Sequence, residues 1–67
     1  MKLDEIKKAV DEGKPVKWGN KHYDVVKDKL GQYMIVCRVN YHTIGLTYKD
    51  GVTLNGRPSE FYIAKQQ

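Results

Sequence analysis

With 67 residues, a single cysteine and a net charge of +4 from 12 basic and 8 acidic side chains, this chain is tightly limited in what it can be. It is long enough for one small domain, near the lower size at which a fold stands without metals or disulfides; an internal disulfide is excluded, and there is little room for an enclosed active site. Acidic residues are mixed among the basic ones (Asp4 and Glu5 beside Lys7 and Lys8, Asp24 and Asp28 beside Lys27 and Lys29), so the mild basicity reads as a solvated surface rather than a charged tail.

Residues 3–12 read as the one helix. Leu3, Ile6 and Val10 recur at helical spacing with Ala9 beside them, and charged residues fill most of the other positions. Gly13 supplies a C-cap and Pro15 blocks continuation. Asp4 and Glu5 near the start and Lys7 and Lys8 further along suit the helix dipole. So short a helix is marginal alone in water, so its apolar stripe must dock on a sheet. The exposed halves of Met34 and Val36, or the open end of a barrel, are the expected receptors.

Beyond Pro15 the period changes from 3.6 to 2. Val16 and Trp18 flank Lys17 in a first strand, 16–18, and Gly19-Asn20 is a two-residue hairpin signal. The second strand, 22–28, carries Tyr23 and Val25 on one side and Val26 on the other. The third, 32–39, holds the longest apolar run, Tyr33 to Cys37; Tyr33, Ile35, Cys37 and Val39 form its core face, and Met34 and Val36 are half covered. Asn40, Tyr41 and His42 turn the chain into a fourth strand, 43–48, with Ile44, Leu46 and Tyr48 on one face and Gly45 at a bulge or close approach. A structured loop through Asn55-Gly56 and Pro58 leads to a last strand, 61–64, and residues 65–67 make a polar tail.

One helix followed by five short antiparallel strands cannot cover a flat sheet on both sides in so few residues. The expected fold class is therefore α+β, mostly β: a single domain, 1–67, forming an SH3-like small barrel or strongly bent sheet. Its expected interior is Trp18, Tyr23, Val25, Ile35, Cys37, Ile44, Leu46, Phe61 and Ile63. An OB-fold is disfavoured because the segment 40–42 leaves no room for a helix between the third and fourth strands.

Reactive chemistry finds little footing. Cys37 is mid-strand and core-facing while His42 lies in a turn, and no third group is evident to orient the imidazole. His22, Cys37 and His42 lack the paired spacing of a zinc site, Asp24 and Asp28 read as solvent-facing, and the glycines follow no nucleotide-binding fingerprint. No catalytic, metal or cofactor-binding residue is assigned, and a non-enzyme is expected. The lone cysteine points to a reducing compartment, and no signal peptide or membrane span is evident after Met1. The aromatics carry more. Seven in 67 residues exceed what a small barrel can internalise, so some must stay exposed, with Tyr41 in a turn and Tyr62 on the outer side of the last strand foremost.

The segments VKWGNKHYDVVKD, GQYMIVC, IGLTYKDGVTLNG and FYIA resemble short uncharacterised proteins encoded by tailed phages and prophages. The most specific piece is Ile44-Gly45-Leu46-Thr47 with Asp50-Gly51-Val52-Thr53-Leu54-Asn55-Gly56. The resemblance implies a small accessory protein acting in a bacterial host cytoplasm.

Three functions compete. The first is a non-catalytic binding module for a host or phage protein, using Tyr41, His42, Tyr62, Arg38, Lys17 and Arg57, with a homodimer through one strand edge as a variant and no membrane role. The second is a nucleic-acid-binding barrel, with Lys17, Lys21, Lys27, Lys29 or Arg38 on phosphates and Tyr41 stacking. The third is sequestration of a small anionic ligand by a homo-oligomer, for which the 50–57 loop offers support.

Overall fold

A computed structural model describes residues 1–64; the polar tail read at 65–67 lies outside the described residues. The order is α1 (Leu3–Asp11), β1 (Val16–Trp18), β2 (Asn20–Lys27), β3 (Tyr33–Cys37), β4 (Thr43–Gly45), a 3-10 helix (Pro58–Glu60) and β5 (Phe61–Ile63). All pairings are antiparallel in one five-stranded sheet ordered β4-β3-β2-β1-β5. The sheet is open, with β4 and β5 as its edges, so of the two expected forms the bent sheet is found and the closed barrel is not.

Helix α1 is fixed at both ends by hydrogen bonds, from backbone N–H at its start and to backbone carbonyls at its end. The Glu5 carboxylate accepts from the Lys2 N–H at 2.8 Å. At the other end Gly13 takes φ +78, and Gly13 and Lys14 donate to the Val10 and Ala9 carbonyls at 3.0 and 2.9 Å, a Schellman closure.

Cross-strand registry aligns Ile44, Ile35, Val25, Val16 and Ile63 in one row on the inner face. Ile6 and Ala9 of α1 seal the middle of that row together with Leu46 and Phe61. The helix thus docks on this face and not on Met34 and Val36, which lie on the opposite side. Ile35 is 1% exposed, whereas Ile44 and Ile63 on the two edge strands are 43% and 45% exposed, since α1 packs chiefly on β1 and β2 and each edge strand has a neighbour on one side only. Both had been expected inside. Trp18 and Tyr23 are only half-buried, meeting edge to face at 5.1 Å, and Val39 is exposed in the turn after β3.

The fourth strand stops at Gly45 rather than running to residue 48. A Cβ there would stand 3.0 Å from the Thr47 carbonyl, so the chain folds back on itself where a side chain would obstruct it. Leu46 then enters the core, and the following residues spend their backbone bonds on one another: Thr47 bridges Leu54, Tyr48 donates to Thr53, and Asn55 donates to Leu46. That segment is a small hairpin of its own, which leaves β4 nothing with which to close a barrel.

Candidate functional site

Helix α1 leaves the outer face of the sheet uncovered. There Tyr62, Lys17, Asp24, Val36 and Thr43 stand side by side on five successive strands, and Val26 and Met34 fill the next row. The centre of this face is Asp24, whose side chain is 20% exposed. Its two carboxylate oxygens are divided between two cations: Lys17 Nζ donates to Oδ1, and Arg38 Nε donates to Oδ2 at 2.5 Å. Burial alone raises the Asp24 pKa, but the hydrogen bonds and charges of Lys17 and Arg38 outweigh it and hold the carboxyl below its ordinary value. The Asp24 hydrogen bond and charge in turn raise the Arg38 pKa.

Arg38 is placed by the end of β3, where its N–H donates to the His22 carbonyl at 2.7 Å. The turn that follows is tied by Tyr41 N–H to the Cys37 carbonyl at 2.6 Å and by Cys37 N–H to the His42 carbonyl at 2.9 Å. Asn40 Oδ1 caps His42 N–H at 3.0 Å. This geometry puts Tyr41 at φ +60 with its side chain exposed, a left-handed conformation that a bulky L-residue adopts only against its preference.

Of the six residues expected to bind a partner, Lys17, Arg38 and Tyr62 therefore share the outer face, and Tyr41 and His42 lie in the turn adjoining it. Arg57 does not join them. It opens the 3-10 helix, where its N–H donates to Glu60 Oε1 at 2.9 Å, and it makes no hydrogen bond or ion pair with the other five. Asp24, which organises the site, was expected to be a solvent-facing carboxylate. Its partnership with Lys17 depends on a bulge between Lys17 and Trp18 that no residue pattern announces.

A groove of about 450 Å³ lies where the end of α1 and the turn into β1 meet the sheet, lined by Val10, Gly13, Lys14 and Pro15 and by Lys17, Asp24, Val26, Lys27 and Arg38. Its cations are committed: Lys17 and Arg38 to Asp24, Lys14 to Glu12 at 3.1 Å, and Lys27 to Asp11 at 3.4 Å. The remaining candidates separate. The Cys37 thiol is buried on the inner face, while His42 is exposed. Asp28 accepts from the Leu30 and Gln32 N–H groups and so holds the turn into β3. Asp50 accepts from Val52 N–H, Thr53 N–H and Thr53 Oγ1, which depress its pKa and close the loop below Tyr48. Among the described residues no group of three or more His, Cys, Asp or Glu could hold a metal ion, and no helix is long and apolar enough to cross a membrane. In comparisons with known proteins, no family model, no curated protein and no solved structure matches the chain.

Proposed function

We propose that this protein is a non-catalytic accessory module, of phage origin and working in a bacterial cytoplasm, that acts by holding a protein partner on the outer face of its sheet. The observation that carries the proposal is the paired set Lys17–Asp24–Arg38 set among Val26, Met34, Val36 and Tyr62 on a face that α1 leaves open. A guanidinium already oriented by a carboxylate, flanked by aliphatic and tyrosine side chains, is the mixture from which protein interfaces draw their energetic centres. Ordering is also cheaper, because the long Arg38 and Lys17 chains are already held before the partner arrives. With two cations on one carboxylate the cluster keeps net positive charge, so the partner is a surface with an apolar centre and an acidic margin. The strained, exposed Tyr41 supports the same face, since backbone strain tends to be kept where a side chain has work to do.

The nucleic-acid reading fares less well. Four of the cations nearest the groove are held in ion pairs, and each phosphate contact made by them would have to displace a carboxylate. The phage and cytoplasmic assignments rest on the sequence resemblance and on the free, buried Cys37.

The test compares capture from bacterial lysate by the native protein, by Arg38→Glu and by Lys2→Glu, which alters charge on the helix side. A captured protein lost with Arg38→Glu and kept with Lys2→Glu supports the outer face. Random-sequence DNA binding that falls steeply between low and physiological salt and is abolished by Arg38→Glu replaces this proposal with the nucleic-acid one.

A further inference from the structure

At the end of β3 remote from Arg38, a second cleft of about 490 Å³ lies between α1, the start of β3, the end of β4 and the 48–51 loop. We infer that this cleft binds a small anion carrying a planar ring, of the nucleoside monophosphate class. The inference does not rest on the partner surface proposed above.

Charge is the first argument. Two other clefts on the described surface include carboxylates in their walls: Asp24 in the groove beside Arg38, and Glu5 and Glu12 in the one beneath Met1. The wall of this cleft contains Lys7 and Lys49 and no carboxylate. Among the described residues neither lysine is in an ion pair, in contrast to Lys14, Lys17, Lys27 and Arg38. The acids nearest these lysines in the chain have other hydrogen-bond partners. Asp11, one turn beyond Lys7 on α1, accepts from the Tyr33 hydroxyl at 2.8 Å and from Lys27 at 3.4 Å, and its charge is shared between Lys27 and Lys7. Asp50, next to Lys49, has its carboxylate oxygens bound to Thr53 and Val52. Two lysines on separate elements thus line one cavity whose described wall holds no carboxylate, which leaves it a positive potential.

Shape is the second. Lys7 Nζ is 5.3 Å from the centre of the Tyr33 ring, so it is positioned by a cation–π contact and retains its hydrogen-bond donors. Tyr48, on the opposite rim, is 57% exposed and stacks on no other aromatic ring among the described residues, which leaves its face for a ligand ring. Gly31 and Gly51 contribute wall without side chains and with open or nearly open space around them, so a ligand approaches the backbone closely there, and Gly45 completes the wall with its bare side turned to the Thr47 carbonyl. The volume falls within the range of small-molecule sites.

The glycines also supply the readout. The native protein, labelled with nitrogen-15, is titrated in separate arms with adenosine monophosphate, with adenosine and with inorganic phosphate while the amide resonances are followed. Saturable shifts of Gly31, Gly45 and Gly51 with the monophosphate, at about millimolar affinity or tighter and stronger than in either other arm, support the cleft. Lys49→Gln and Lys7→Gln are each expected to weaken binding by roughly tenfold, and Lys7→Arg to restore most of it. Lys49 is exposed and Lys7 half-buried, and unchanged melting of the variants separates lost binding from lost fold. Three results overturn the inference: no shifts with the monophosphate at millimolar concentration, equal binding of adenosine or of phosphate alone, or undiminished affinity in the Lys7→Gln, Lys49→Gln double variant.

Discussion

Gly56 lies against the indole of Trp18 so closely that a Cβ added to it would stand 2.5 Å from Nε1 and 3.0 Å from Cε2. Two distant parts of the chain meet there, the end of β1 and the return arm of the hairpin that follows β4. The contact also shields the indole N–H, which finds no acceptor among the described residues. The 46–56 segment is thus seated by backbone pressed onto an aromatic ring, an arrangement only glycine permits.

Gly56→Ala is accordingly expected to destabilise the protein by about 1–3 kcal/mol through overpacking against a ring that Tyr23 and Phe61 already hold in place. Gly19→Ala provides the contrast. Gly19 has φ +70 with open space around it, so its penalty is conformational alone, about 1 kcal/mol. Urea denaturation of both variants checks this, and a Gly56→Ala midpoint equal to that of the native protein would mean that the loop moves freely off the indole.

How far the sequence discloses this architecture follows from what each feature depends on. The helix, its glycine stop, the five strands and the inward direction of Val25, Ile35 and Leu46 are local or period-2 properties, and they can be read directly. Which inward residues end up sealed is not local. Ile44 and Ile35 sit opposite one another in register, yet only the central one lies under α1. The Lys17–Asp24 pair is concealed for a different reason. A simple two-residue turn at Gly19-Asn20 would place Lys17 opposite His22; the tighter turn, which sets Trp18 opposite Asn20, and the bulge together slip the register by two, which preserves every face and changes every partner. Faces are therefore legible where pairs are not: the residue pattern marks Lys17 and Arg38 separately and is silent on the cross-strand pair that joins them.

Truncations along the inner row test the reach of the helix. Ile35→Ala and Leu46→Ala, each removing a side chain 1% exposed, are expected to cost about 2–5 kcal/mol, enough to unfold much of so small a domain. Ile44→Ala, on the same face but beyond α1, is expected to cost less than about 1.5 kcal/mol. Thermal melts followed by circular dichroism distinguish the two classes. Equal losses at Ile35 and Ile44 would mean that the edge strand is covered in solution.

Acid stability is set by depressed carboxyls. The Asp11 pKa is lowered chiefly by the Tyr33 hydroxyl, against burial as the next effect, and further by Lys27 and Lys7; that of Asp50 by Thr53 and the Val52 N–H; and at Asp24 burial, which raises the pKa, is overcome by Lys17 and Arg38. A carboxyl with a folded pKa below its unfolded value contributes stability that is complete above the unfolded value, roughly pH 4, and is lost as the pH falls through the folded one. The contribution of these carboxylates to the melting temperature is therefore expected to be constant above about pH 5 and to decline below about pH 4. Asp24→Asn is expected to lower stability by about 1–2 kcal/mol at neutral pH, because Lys17 and Arg38 lose their shared acceptor, and to make the acid decline shallower. An acid limb as steep as that of the native protein would assign the decline to other groups.

Tyr41 separates stability from binding in a single residue. Its ring is 71% exposed, so Tyr41→Ala removes little packing and is expected to change stability by less than about 0.5 kcal/mol. Its backbone is at φ +60, a conformation that asparagine tolerates far better, so Tyr41→Asn is expected to stabilise the fold by about 0.5–1 kcal/mol. The same change removes an aromatic anchor beside Arg38 and is expected to weaken partner capture by the outer face. A variant that melts higher and binds less would show that the turn retains a strained tyrosine for recognition at the expense of stability. If Tyr41→Asn instead lowered the urea midpoint, the ring would be supporting the β3–β4 turn, and the outer face would have to bind through Arg38, Lys17 and Tyr62 alone.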